Sequence, residues 1–455
     1  MSDERVSESL RRGLQARCRG ALLEASAFSH DFGGLIERVP LLVFAPASVE
    51  DLAGALRLAL QHGVPVTTRG AGHSQSGQSL GVGMVLDLRG FGGPPVIDGE
   101  TLEIGAGYSW RAATDLAFAN GFIPRALTHM LDATIGGTLS VGGIGSESWR
   151  WGPQVDNVRW LDVMTVDGHL TRCSREVRPD LFDAVRAGLG QCGIIVRVGY
   201  PLRRCSPLLR TRSFFYRDAD AFRADVNHLT SQVDEQARFL AGAIVRDPAK
   251  ASSRGLLLCL GEEFDELAAL ANDALPDLHA EQELPARHTR LWRSDGMPGH
   301  IFFQIFPRRY PEVNDQLLHP WVDHFLANDA VTGALEALCT GHHRALEHGT
   351  LGIIFVRRGP ARAPLFVLPE PDGLNFEIGM FSAFLATARE VGLATMRELV
   401  ELVRPYGGKR YLSSHRPFDW LPCAEHYGPV WDQFAMVKRH FDSRGLLNPG
   451  LIEWP

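Results

Sequence analysis

The chain of 455 residues contains no apolar run approaching the ~18 residues that a membrane span needs, so no membrane partner is expected. Cysteine is sparse: Cys18, Cys173, Cys192, Cys205, Cys259, Cys339 and Cys423 are odd in number, far apart and form no CxxC pair. That spacing indicates neither a disulfide frame nor a thiolate metal site. The first residues, MSDERVSESLRRGLQARCRG, are charged and lack the apolar core of a secretion signal. A reduced, cytoplasmic protein is therefore the expectation. A basic stripe is also missing, because 46 Lys and Arg are scattered among 53 Asp and Glu, for a net charge of −7. Nucleic acid is excluded as an expected partner.

Glycine is what the chain has in plenty: 47 of 455 residues, about 10% where ~7% is usual, clustered in the first half. Residues 40–200 read as short strands alternating with helices and tight turns. Ser48 with Asp51 forms a capping signal for a helix whose Leu52, Leu56 and Leu60 share a face and which Gly63 ends. Val64–Thr68 is a strand running into a glycine loop. Ser109 opens a second helix that stops at Asn120-Gly121, and Asp167-Gly168 marks a hairpin. From about 206 to 400 glycine thins. A charged helical stretch (261–272) and apolar strands at 301–306, 352–356 and 374–381 point to a second domain, an antiparallel sheet with helices on one face. A helix is expected around 428–441. The fold class is α+β.

Two glycine loops carry the chemistry. Gly70-Ala71-Gly72-His73-Ser74-Gln75-Ser76-Gly77 follows a strand but lacks both the last spacing of a GxGxxG dinucleotide fingerprint and the lysine of a P-loop. This argues against a nicotinamide-dependent dehydrogenase. Some 60 residues on lies Thr134-Ile135-Gly136-Gly137-Thr138-Leu139-Ser140-Val141-Gly142-Gly143-Ile144-Gly145. Glycines interspersed with hydroxyls bring several main-chain N–H groups close to a pyrophosphate; equally, they form ordinary tight turns. His73, between glycine and serine just after a strand, has little room to be a core residue. His342-His343 lacks a carboxylate at ligand spacing, so no metal site is expected.

Taken together, RGAGHSQSGQS (69–79), LTHMLDATIGGTLSVGGIGSESWRWGPQVDNV (127–158), GLGQCGIIVRV (188–198) and the terminal LLNPGL resemble the FAD-linked oxidases of the vanillyl-alcohol oxidase type, with a PCMH-type FAD-binding domain. Within them the likeness is to the cytokinin dehydrogenases. The resemblance implies an FAD-binding domain of residues 1–205, completed by a C-terminal segment of 405–455, around a substrate domain of 206–404. It implies that His73 carries the flavin covalently through its 8α-methyl. Gly70, Ala71, Gly72, Ser74, Gln78 and Ser79 would line the diphosphate. Thr134, Gly137, Thr138, Ser140, Gly143 and Ile144 would come from the second loop, with Ile194, Tyr411 and Asn448 closing the site. Residues 127–134 contain no cysteine, so a second, cysteinyl link is not expected.

The chain departs from the cytokinin dehydrogenases where they hold their substrate. In place of the aspartate of their W-T-D-Y-L stretch stands His129, and their cap-domain E-G pair falls on Ala241-Gly242. The glutamine after their terminal Pro-Gly is replaced by Leu451. His129 could act as the catalytic base, since imidazole titrates near working pH, with Asp132 orienting it or acting in its stead. Gln304, Asn375 and Glu377 alternate with apolar neighbours, so they either face a substrate cavity or form the wet face of a sheet. The expected function is transfer of a hydride from a C–H bond next to N or O of a small molecule to flavin N5. Dioxygen or another acceptor would then reoxidise the flavin. A tailoring step in specialised metabolism fits the missing contacts; a cytokinin-type amine dehydrogenase and a non-catalytic flavin-binding module are the alternatives.

Overall fold

The computed structural model describes residues 3–231, 239–264, 284, 289–298, 317–341, 349–415 and 422–455. The remainder of the helical stretch expected at 261–272, the strand expected at 301–306, Gln304 and His342-His343 lie outside them.

Three large sheets organise the described residues, beside a two-stranded one of Leu317–Leu318 and Phe384–Leu385. The first has Leu42–Ala45 and Val66–Arg69 flanking and parallel to Met84–Asp87, with Ala21–Leu23 antiparallel at one edge. Helix Val49–His62 connects two of these strands. Ser48 caps it by accepting from the Asp51 N–H, and Gly63 ends it at φ 67°, a left-handed conformation glycine adopts without strain. Leu52 and Leu56 seal this helix onto the sheet with Leu42, Val66, Met84 and Leu86.

The second sheet is antiparallel and runs in the order Val96–Asp98, Thr101–Gly105, Ile194–Arg204, Trp160–Met164, Leu170–Ser174. Its last two strands turn back at Asp167-Gly168, where Gly168 has φ 78°. Helix Trp110–Ala119, capped by Ser109, buries Trp110 against Tyr200 of the central strand.

The third sheet has eight antiparallel strands, with Leu208–Tyr216, Lys250–Phe264, Phe239–Asp247, Gly349–Val356, Asn375–Ser382 and Val322–Ala327 at its centre. Residues 261–264 extend the strand Lys250–Phe264 rather than opening a helix, because they pair with Leu208–Thr211. Strand alternation divides the sheet. Phe376, Ile378, Met380, Leu351, Ile353 and Phe355 pack on the helices Ala219–Ser231, Val331–Thr340 and Arg389–Val403 through Phe222, Leu335, Met396 and Leu399. The intervening residues, Ile354, Glu377 and Phe381, point the other way and meet the glycine loops across a cleft. The C-terminal part of the chain joins two layers. Lys409–Arg410 pairs with Val322–Ala327 of the third sheet, while helix Trp431–Phe441 packs on Pro179–Val185 and Leu447 bridges to Val66.

Candidate active site

The first glycine loop leaves the strand Val66–Arg69 and is clamped from outside. Phe32 donates its N–H to the Gly72 carbonyl and Gly33 donates to that of Ser74, both at 2.9 Å. Asp31 accepts from the Ser74 hydroxyl and the Gly77 N–H, each at 2.7 Å. Burial pushes the Asp31 carboxyl up, against the pull of these donors. The His73 ring lies flat on Phe32, centroids 3.9 Å apart, and its Nε2 is buried without a hydrogen-bond partner. Burial takes this imidazole down to about 4, so it is neutral and nucleophilic at working pH.

The second loop meets the first at one point. A β-carbon on Gly70 would stand 2.1 Å from Thr134 Oγ1, so only glycine permits this approach. Trp110 donates its indole N–H to Thr138 Oγ1 at 2.7 Å, and Ser140 bonds back to the Gly136 carbonyl at 2.7 Å. The tail ties both loops down. Gly143 donates its N–H to the Tyr411 hydroxyl at 2.8 Å; Asn448 accepts from the Thr68 N–H at 3.0 Å and donates to the Gly190 carbonyl at 2.7 Å.

Between the loops and the third sheet lies a cleft with a cavity volume of about 270 Å³. Water needs only ~10–15 Å³ of such space, so the cleft has room for a large organic group. Its wall includes Gly70, Ala71, Gly72, His73, Ser74, Gln78 and Ser79 of the first loop, and Thr134, Gly137, Thr138, Ser140, Gly143 and Ile144 of the second. Ile194, Tyr411, Asn448 and His129 complete it. His129 shares a hydrogen bond with Ser146, and burial pushes its imidazole down to about 4.

Asp132 is not brought into the wall. It pairs with Nε and Nη2 of Arg111, at 2.6 and 2.8 Å, and its side chain is 66% exposed. A guanidinium on the facing helix satisfies this carboxylate in solvent, so it neither orients nor replaces His129. Asn375 is buried and bonded to the backbone of Glu370, which makes it part of the scaffold.

Glu377 does reach the cleft, and with it come residues no local signal in the sequence marks: Trp321, Asp323 and Phe381. Asp323 is opposite Gly379 in the strand pairing, which places Glu377 diagonally beside it on the same face. The two carboxyls are 4% and 1% exposed. Burial pushes both up, and Asp323 adds to the rise of Glu377. The alternation at 374–381 is the only sequence signal for any of this, and it reads the same for a wet face and a closed one.

The wall fits an FAD. Gly70 opens a main-chain cradle that a β-carbon would fill, and two buried polar atoms on it, His73 Nε2 and Gln78 Nε2, have no hydrogen-bond partner. Among the described residues no group of three or more His, Cys, Asp or Glu could hold a metal. The family model described as FAD binding domain matches residues 40–174. The chain is 30% identical over 443 residues to an oxidoreductase of the fasciation locus of Rhodococcoides fascians, covering 92% of this chain and 95% of that protein. Identity to cytokinin dehydrogenase 3 of Arabidopsis thaliana is 35% over 474 residues, 92% of this chain and 87% of the relative. The fold is similar to that of glucooligosaccharide oxidase from Acremonium strictum, whose FAD is 6-S-cysteinyl and 8α-N1-histidyl. There the TM-score is 0.73 at 14% identity, over 96% of this chain and 97% of that one. The fold and the cleft are those of an FAD-dependent oxidoreductase of the vanillyl-alcohol oxidase type. Within that class the chain belongs to the cytokinin dehydrogenase-like family of FAD-linked oxidoreductases.

Proposed function

We propose that this enzyme oxidises a small organic substrate at a C–H bond next to nitrogen or oxygen, as a tailoring step in specialised metabolism. The observation that carries the reading is the convergence on one cleft of His73, with its unpartnered Nε2, and His129, a second neutral imidazole. A flavin bound there supplies the hydride acceptor. His73 would hold it by a single bond from its ring to the 8α-carbon, and the stacking on Phe32 fixes the plane of that ring. The glycine loops hold the diphosphate with main-chain N–H groups. His129 faces the substrate as a proton acceptor, its ring held by the hydrogen bond that its Nε2 shares with the Ser146 hydroxyl. His129 and Ala241, standing where cytokinin dehydrogenases carry carboxylates, support a substrate other than a cytokinin.

The test is direct. Acid-precipitated protein keeps its yellow colour in the pellet, while the His73→Ala protein releases it; colour that washes free of the parent protein removes the covalent link. Anaerobic bleaching of the flavin is then followed across a panel of amines, alcohols and sugars, with His129→Ala slowing it. A parent protein bleached by no member of the panel would be a flavin-binding module instead. The 35% identity to a cytokinin dehydrogenase supports a second reading, and bleaching by cytokinins alone would favour it.

A further inference from the structure

We infer that the substrate carries a basic, protonated nitrogen, held by the paired carboxyls of Asp323 and Glu377. This rests on the reading of the cleft as the substrate site of a flavin enzyme, and extends it by naming a charged group that the substrate carries.

Geometry comes first. A β-carbon on Gly379 would stand 2.5 Å from Glu377 Oε1 and 2.6 Å from Asp323 Oδ1, so both carboxyls lean over the space that this glycine leaves open. Asp323 and Glu377 are hydrogen-bonded to each other, and no other group among the described residues serves the buried Asp323 Oδ1 or either Glu377 oxygen; both residues line the cleft. Buried polar atoms are nearly always satisfied in folded proteins, so unsatisfied acceptors on a cavity wall mark where a ligand's donors belong. Trp321 and Phe381 form an edge-to-face pair 5.0 Å apart on the same wall, and aromatic faces attract cations.

The charges around the pair select the ligand. Among the described residues, Arg410 on the neighbouring strand is the cation that acts on Asp323. Tyr411 stays neutral, its hydroxyl pushed up by burial, and across the cleft His129 is neutral as well. The flanking strand Gly349–Val356 adds Ile354, which has nothing to titrate. Two buried acids against one guanidinium hold a proton between them because two adjacent charges in a dry site are too costly. A protonated amine takes the place of that shared proton, which leaves to solvent, and brings two or three N–H donors that make charge-assisted hydrogen bonds. An alcohol brings one neutral donor. A carboxylate ligand would be repelled.

The experiment uses the flavin-loaded full chain and two probes of one shape, cumylamine and cumyl alcohol. Neither has a hydrogen on the carbon bearing nitrogen or oxygen, so neither can be turned over. Binding is read from the shift of the bound-flavin absorbance and from the melting temperature. Cumylamine is expected to bind about 10- to 100-fold more tightly than the alcohol, as hydrogen bonds to charged groups imply. Its affinity should fall as acid protonates the pair, and fall again above the amine's own pKa, while that of the alcohol stays flat. Asp323→Asn and Glu377→Gln should each bring the amine close to the alcohol and leave flavin binding intact. Equal affinities in the parent protein, no binding of the amine, or an amine preference that survives in the double variant would overturn the inference. A yellow protein that treats both probes alike leaves the flavin reading standing; a protein that takes up no flavin removes that reading, and melting temperatures still report on the amine.

Discussion

Gly143 donates its backbone N–H to the hydroxyl of Tyr411 at 2.8 Å, joining the second glycine loop to a residue in the last tenth of the chain. Both groups are buried, so this bond fixes the loop's position in the cleft. Tyr411→Phe keeps the ring packed on Phe325 and Phe366 but leaves a buried N–H without an acceptor. The expected cost is about 1–3 kcal/mol, read as a lower denaturation midpoint at unchanged m-value. Flavin should also be held more loosely, as a slower recovery of absorbance on reconstitution.

Asn448 secures the first loop in the same manner. Its backbone sits at φ 45°, a conformation that asparagine tolerates and alanine does not. Its side chain serves the Thr68 N–H on one side and the Gly190 carbonyl on the other. Asn448→Ala loses both bonds and adds backbone strain, for about 2–4 kcal/mol in total. Asn448→Gly loses the bonds alone and should recover about 1 kcal/mol of that. Urea melts of the three proteins separate the two contributions; equal midpoints for the alanine and glycine variants would show that the positive φ costs nothing here.

The contact of Gly70 with Thr134 predicts a rescue. Gly70→Ala places a methyl 2.1 Å from Thr134 Oγ1 and should destabilise the flavin-free protein by about 1–3 kcal/mol, in line with other overpacked sites. Thr134→Ala removes the opposing atoms. The double variant should therefore melt closer to the parent than Gly70→Ala does, a coupling that a thermodynamic cycle measures. Additive effects would mean that the two loops do not press on one another.

The parts of the site built from local chain chemistry are legible in the sequence. Gly70, Gly72 and His73 stand in a glycine loop after a strand, a local pattern that only the family resemblance separates from an ordinary turn, and every residue expected from the second loop lines the cleft. The capping of helix Val49–His62 by Ser48 and Gly63 is local too. The clamp on His73 is not: Phe32 and Asp31 reach it by tertiary contact alone. Asp323 and Glu377 sit on strands whose alternation reads equally well as a solvated face, and only the pairing register puts Asp323 opposite Gly379. Asp132 is the opposite case, a residue beside the motif in sequence that Arg111 draws away from the cleft.

Titration of Asp323 gives stability a direction with pH. Burial raises its carboxyl to about 7 in the folded protein, above the ~3.9 of an unfolded aspartate. Such a group contributes stability that is fully present below the unfolded value and is lost as pH rises through the folded one. His129 acts on the other limb. Burial lowers it to about 4, so from ~6.5 downward the unfolded chain binds a proton that the folded chain refuses, and stability falls with acid. Asp323→Asn removes the first effect and leaves the second. Its melting temperature relative to the parent should therefore rise between about pH 4 and 7 and level off above that. His129→Gln should make the fall below about pH 6.5 less steep, since His73 and His426 keep their share of it, and leave the profile above about pH 7 alone. Parallel melting curves for the parent and Asp323→Asn across that range would mean that this carboxyl ionises in the folded protein as freely as in the unfolded one, and the buried acid pair would lose its electrostatic basis.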